Sequence, residues 1–194
     1  SAGILTAIGE AVEKGKLTGL QEIDFRLEEL DDGDGVQSEP GKLGILSDFG
    51  PVFHRLNLSS SQQIVDISGL ETCKNLRTLH LHCCTQVFDV SALGSCINLH
   101  TLDLSCTQVV DVFALRSCGS LRELNLKDTQ VIDVSVLGSC SNLRTLNLSG
   151  THVTDVSALG SCSNLRTLNL NYTSVADVSV LGSCSSLHTL NLSD

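Results

Sequence analysis

Hydrophobic positions along this chain return in phase. From Leu99 onward the pattern leucine, two polar residues, leucine, one polar residue, leucine recurs every 22 residues, beginning at Leu99, Leu121, Leu143, Leu165 and Leu187. One unit, residues 143–164, opens with Leu143, Leu146 and Leu148, continues with Val153, Val156 and Leu159, and closes on Cys162. The two-residue spacing of Leu146 and Leu148 is that of a strand with one buried face. Val153, Val156 and Leu159 carry the chain back through a short helical or 3-10 turn. Asp155 and Ser157 supply capping oxygens for that turn. Gly160 is placed to end it, because glycine reaches positive φ without penalty. Two earlier units start at Phe53 and Leu76, each one residue longer, and a degenerate one, Leu20 to Phe25, precedes them.

One such unit has too few apolar side chains to fold alone, so neighbours must stack and share a single interior. The pattern predicts seven parallel strands from Phe53 onward, about 4.8 Å apart. Three regions follow. Residues 1–19 form an N-terminal cap helix, with Ile4, Ile8 and Val12 on one face. Residues 20–52 hold the degenerate first repeat and an acidic loop, 31–42. Residues 53–194 are six full units plus a final strand. The sequence stops at Leu192-Ser-Asp194 without a polar capping unit. The natural protein is therefore expected to continue, or to have this edge covered by a partner or by self-association.

The L-x-x-L-x-L core, the turn residue at Thr151 and the Asp-Val-Ser-x-Leu return resemble leucine-rich repeats. Their length and the Asp-Val-Ser segment are most similar to internalin-like repeats and to those of protozoan, particularly kinetoplastid, repeat proteins. The resemblance implies an α/β solenoid: a curved right-handed coil with a parallel concave sheet and short helical or 3-10 turns on the convex side. It also implies protein recognition. One departure stands out. The family usually has Asn or Cys where this chain has Thr85, Thr107, Thr129, Thr151 and Thr173, and a hydroxyl lacks the two-ended amide of an asparagine ladder.

Composition fits a small motif used repeatedly. Aromatic residues are 3% of the chain, and Trp and Met are absent, so bulky rings do not fill the interior. The net charge of −10 is concentrated in residues 1–52, which hold 11 acidic against 4 basic residues. No basic stripe suits nucleic acid, and such a surface is repelled by anionic membranes. Neither is expected as a partner, and no run of about 20 apolar residues marks a membrane span.

Six of the nine cysteines fall in one column: Cys73, Cys96, Cys118, Cys140, Cys162 and Cys184. Parallel side chains in neighbouring repeats keep their Cβ atoms about 5 Å apart, whereas a disulfide needs about 3.8 Å. The column therefore reads as reduced cysteine acting as a small hydrophobe. The odd count favours a reducing, cytoplasmic location. Glycosylation sequons at Asn57, Asn147, Asn171 and Asn191 agree, since glycans there would obstruct the strand face.

His80, His82 and Asp103 are the nearest approach to a metal site, two imidazoles on one strand face beside a carboxylate. Concave-surface histidines are the preferred reading, and no metal or other cofactor is expected. The Asp31-Asp32-Gly33-Asp34-Gly35 run fails the register of a calcium loop. Asp66, Asp89, Asp111, Asp133, Asp155 and Asp177 recur with serine two residues on, Phe113 breaking that series, but no histidine stands beside each pair as a base. No phosphate loop or nucleophile elbow is present, so the chain reads as non-catalytic.

Function is expected on the outward strand positions. The centre column is Asn57, His80, Asp103, Asn125, Asn147, Asn169 and Asn191. Arg55, Thr78, Thr101 and Glu123 flank it on one side, and Ser59, His82, Ser105 and Lys127 on the other. Chemical variety clusters at Arg55, His80, His82, Asp103, Glu123 and Lys127, which makes the first half the expected docking patch. Arg77, Arg122, Arg144 and Arg166, with His54, His100 and His188, add a basic row along the strand starts, suited to acidic groups. The expected function is a protein-binding module or scaffold using its concave face. The alternative is the substrate-recognition region of a larger multidomain protein such as a ubiquitin ligase.

Overall fold

The computed structural model describes residues 22–24, 50 and 53–193, and every structural statement below concerns these. The cap helix and the acidic loop expected within 1–19 and 31–42 lie outside the described residues.

Each repeat contributes one three-residue strand: β1 (Glu22–Asp24), β2 (Arg55–Asn57), β3 (Thr78–His80), β4 (Thr101–Asp103), β5 (Glu123–Asn125), β6 (Thr145–Asn147), β7 (Thr167–Asn169) and β8 (Thr189–Asn191). They form one eight-stranded sheet in sequence order, all pairs parallel. The register puts each central leucine on its equivalent, Leu56 on Leu79 and Leu79 on Leu102. Backbone bonding between repeats runs past the strands at both ends, as in Arg77 N–H to His54 O (2.8 Å) and Ser60 N–H to His82 O (2.7 Å). The molecule is an α/β solenoid.

The return path is a five-residue 3-10 turn in each repeat, such as Ser91–Ser95, Phe113–Ser117 and Ser157–Ser161. Asp66, Asp89, Asp111, Asp133, Asp155 and Asp177 each accept, at 2.7–2.8 Å, the backbone N–H two residues on. That satisfies one of the donors a helical turn leaves open at its start. Gly160 does not end its turn as expected. It lies inside Ser157–Ser161, and the turn stops at Cys162. The glycine is there for space: a Cβ would fall 2.5 Å from Val180 Cγ2 of the next repeat.

The left-handed backbone occurs elsewhere, just past each strand. Ser60, Cys83, Cys106, Asp128, Gly150 and Tyr172 all have φ between 54° and 69°. This one position turns every repeat off the sheet, and only one repeat uses glycine for it.

Leucine, isoleucine, valine and cysteine columns fill one continuous interior. Thr107, Thr129 and Thr151 are also buried, and each hydroxyl donates to the leucine carbonyl three residues back at 2.6–2.7 Å. Thr85 departs from this column. Cys84, with its N–H on Leu81 O as Thr107 N–H is on Leu104 O, takes the equivalent place, and the surplus residue of the longer repeat falls between Cys84 and Val87. Amide rungs between repeats come from another column, where Asn98, Asn142 and Asn164 donate Nδ2–H to Lys74 O, Gly119 O and Ser141 O at 2.8–2.9 Å. At the far end β8 is exposed, Leu190 and Leu192 included.

Candidate protein-docking surface

The strand pattern buries each central leucine and turns its two neighbours outward, so the register sets side chains from successive repeats in rows. The centre row reads Asn57, His80, Asp103, Asn125, Asn147, Asn169. Its oxygens are already engaged. Asn57, Asp103, Asn125, Asn147 and Asn169 each accept through Oδ1 the backbone N–H two residues on, at 2.9–3.1 Å. What these asparagines offer a partner is the Nδ2 donor pair.

The flanks differ from expectation on one side. Arg55 and Glu123 are exposed, with Thr78 and Thr101 half-buried between them. Thr101 Oγ1 donates to Glu123 Oε2 at 3.4 Å. On the other flank Ser105 and Ser149 are buried and face no partner. Lys127 remains accessible there, its Nζ 3.7 Å from Asp128 Oδ2.

At the strand starts the basic row converges. His54, Arg55, Arg77, Thr78, His100, Thr101 and Arg122 line a cleft of about 660 Å³. His100 Nδ1 donates to Asn98 O at 2.7 Å, so Nε2 is the ring nitrogen that this bond does not use. A cleft with three guanidinium groups suits carboxylates, which arginine binds in a two-pronged fashion.

His80, His82 and Asp103, for which the sequence favoured a concave-surface role over a metal, do not gather as a group of ligands. Asp103 is taken up by the N–H and hydroxyl of Ser105. Among the described residues the ligand atoms that come within 4.8 Å of one another are those of His82, Cys83 and Cys106. His82 is thus retained, with two thiols in place of His80 and Asp103. The sequence signal was present in His82-Cys83 and Cys106, residues that occupy equivalent positions only once the repeats are stacked.

A second surface escaped the sequence reading altogether. Val65, Phe88, Val110, Phe113 and Ile132 stand exposed on the return side, where a later repeat has Thr154. Phe88, Val110 and Phe113 border a groove of about 610 Å³, and Arg116 sits 4.9 Å over the Phe113 ring. The signal for it was Phe113 breaking the serine series.

A family model described as leucine-rich repeats in two copies matches residues 119–161. Residues 119–161 are therefore two leucine-rich repeats. The solenoid superposes on an internalin of Listeria monocytogenes with a TM-score of 0.74 at 23% identity, covering 78% of this chain and 44% of that one. Internalin C2 of the same organism gives 0.68 at 24% identity over 76% of this chain and 74% of its own. A leucine-rich-repeat protein of Leptospira interrogans gives 0.67 at 16%, over 75% and 38%. The chain therefore spans less than half of the first of these proteins. A sequence search of curated proteins found no match. Leucine-rich repeats are commonly protein-interaction modules. No helix among the described residues is long and apolar enough to cross a membrane.

Proposed function

We propose that this chain is a non-catalytic protein-binding module that takes an acidic segment of its partner on the concave side of β2–β5. The observation that carries the reading is the cleft in which Arg55, Arg77 and Arg122 converge. It opens beside the strands that bear the varied residues His80, Asp103 and Glu123, whereas β6, β7 and β8 repeat Thr-Leu-Asn. A uniform row offers a partner little to distinguish; a varied one with clustered charge sets both register and sign. The same proposal places the protein in a reducing compartment, in keeping with seven buried thiols.

The exposed Phe88–Phe113 strip favours a second reading, in which the partner docks on the convex side. Cross-linking in cells with identification of the bound protein separates the two. Arg55→Glu with Arg122→Glu is expected to remove the same partner that Phe88→Ser with Phe113→Ser retains, and its capture should weaken with salt. Loss in the phenylalanine variant alone, with the arginine variant unaffected, overturns the concave reading.

A further inference from the structure

We propose that His82, Cys83 and Cys106 form a binding site for a borderline-soft divalent metal ion of the zinc class, at the rim where β3 and β4 leave the sheet. The site does not depend on the docking proposal above.

Stacking creates it. Cys83 and Cys106 hold the same position in adjacent repeats, and both have left-handed backbone, φ 57° and 58°. Their side chains therefore leave the rim side by side. They are the half-buried thiols; the other seven are buried.

The imidazole is held in the state a metal needs. Asp103 Oδ1 accepts both the N–H and the Oγ–H of Ser105. A carboxylate has no proton to give back, so the Ser105 hydroxyl has its hydrogen committed and can only accept from His82. The contact between His82 Nδ1 and Ser105 Oγ is 2.8 Å, and the proton must lie on Nδ1. His82 Nε2 is then a lone pair, 3.2 Å from Cys83 Sγ. This is the carboxylate-anchored histidine of metal sites, relayed through one hydroxyl.

Distances agree. In a tetrahedral zinc site, metal–ligand bonds of about 2.0–2.3 Å place ligand atoms about 3.5–3.8 Å apart. Here the three ligand atoms lie within 4.8 Å of one another. Asp128, next along the same rim and with Oδ2 4.0 Å from Cys106 Sγ, or water takes the fourth position. Burial, Cys83 and Asp128 all push the Cys106 thiol up. A dication reverses that balance by pairing with the thiolates. Two sulfurs and an imidazole select zinc-class ions over magnesium or calcium, which prefer oxygen.

The test uses the reduced, untagged chain and Co²⁺ as probe, followed by displacement with Zn²⁺. One equivalent is expected to bind with the strong visible bands of tetrahedral cobalt and a thiolate charge-transfer band. Zinc should abolish both and protect the two half-buried thiols from a thiol reagent. Cys83→Ser with Cys106→Ser should remove the signal, Ser105→Ala should weaken affinity on the order of 10–100-fold, and Cys118→Ala should leave it intact. Any of three results overturns the proposal: no saturable binding, a charge-transfer band that survives the double serine variant, or a Cys83–Cys106 disulfide that persists under mild reduction.

Discussion

The Sγ of Cys118 donates to the carbonyl of Leu93, one repeat earlier, at 3.4 Å. The same bond recurs from Cys96 to Leu70 O, Cys140 to Leu115 O, Cys162 to Leu137 O and Cys184 to Leu159 O, at 3.2–3.6 Å. Each thiol fills a small apolar space and adds a weak second donor to a carbonyl that already caps its own 3-10 turn. Cys118→Leu is expected to overpack this seam and lower unfolding stability by about 1–3 kcal/mol. Cys118→Ala, losing one sulfur and its bond, should cost about 1 kcal/mol. Urea titration of both variants measures this, and a leucine variant as stable as the parent would contradict the packing described.

Burial pushes the Cys73, Cys84 and Cys162 thiols up to about 11, and those of Cys96 and Cys118 up to about 12. The folded form therefore keeps its protons in a pH range where the unfolded chain, with thiols near 8.5, has lost them. Their contribution is complete below about pH 8.5 and falls as pH rises towards the folded values, by at most about 1.4 kcal/mol per pH unit for each thiol. Thermal unfolding followed from pH 8 to 10.5 should show a steep alkaline decline. Removing two column cysteines should flatten it.

Asn98, Asn142 and Asn164 bridge to the preceding repeat, but Ser120 stands in the same column with a side chain too short to do so. Ser120→Asn is expected to add a rung to the carbonyl of Ile97 and to stabilise by about 0.5–1.5 kcal/mol. Asn142→Ser should cost a similar amount. The melting temperatures of the two variants, moving in opposite directions, are the check.

Tyr172 holds a left-handed conformation, φ 56°, at the position where a neighbouring repeat has Gly150, and its side chain is 68% exposed. A non-glycine residue there is strained by about 1–2 kcal/mol, partly offset by the greater chain entropy of glycine. Tyr172→Gly should therefore stabilise by about 0.5–1 kcal/mol in denaturant titration. Val153→Gly, at a buried position, should destabilise.

Much of this was legible in the spacing of Leu143, Leu146, Leu148, Val153, Val156 and Leu159. Equal repeats can bury such a pattern together only by stacking in parallel and in register, so the period alone determined the solenoid, its leucine columns and the outward rows. The pairing of Asn57 with His80 and of His80 with Asp103 follows the same rule. Contacts between rows were decided by the tertiary structure. The extra residue enters after Cys84 and before Val87, because the turn keeps its Leu81 carbonyl bond. Cys83 meets Cys106 and His82 because one backbone angle turns the rim in every repeat, and periodicity carries no information about that angle. Hydrophobic spacing records which side of the chain is dry, whereas the meeting of side chains 22 or 23 residues apart depends on torsions and on where an insertion is absorbed.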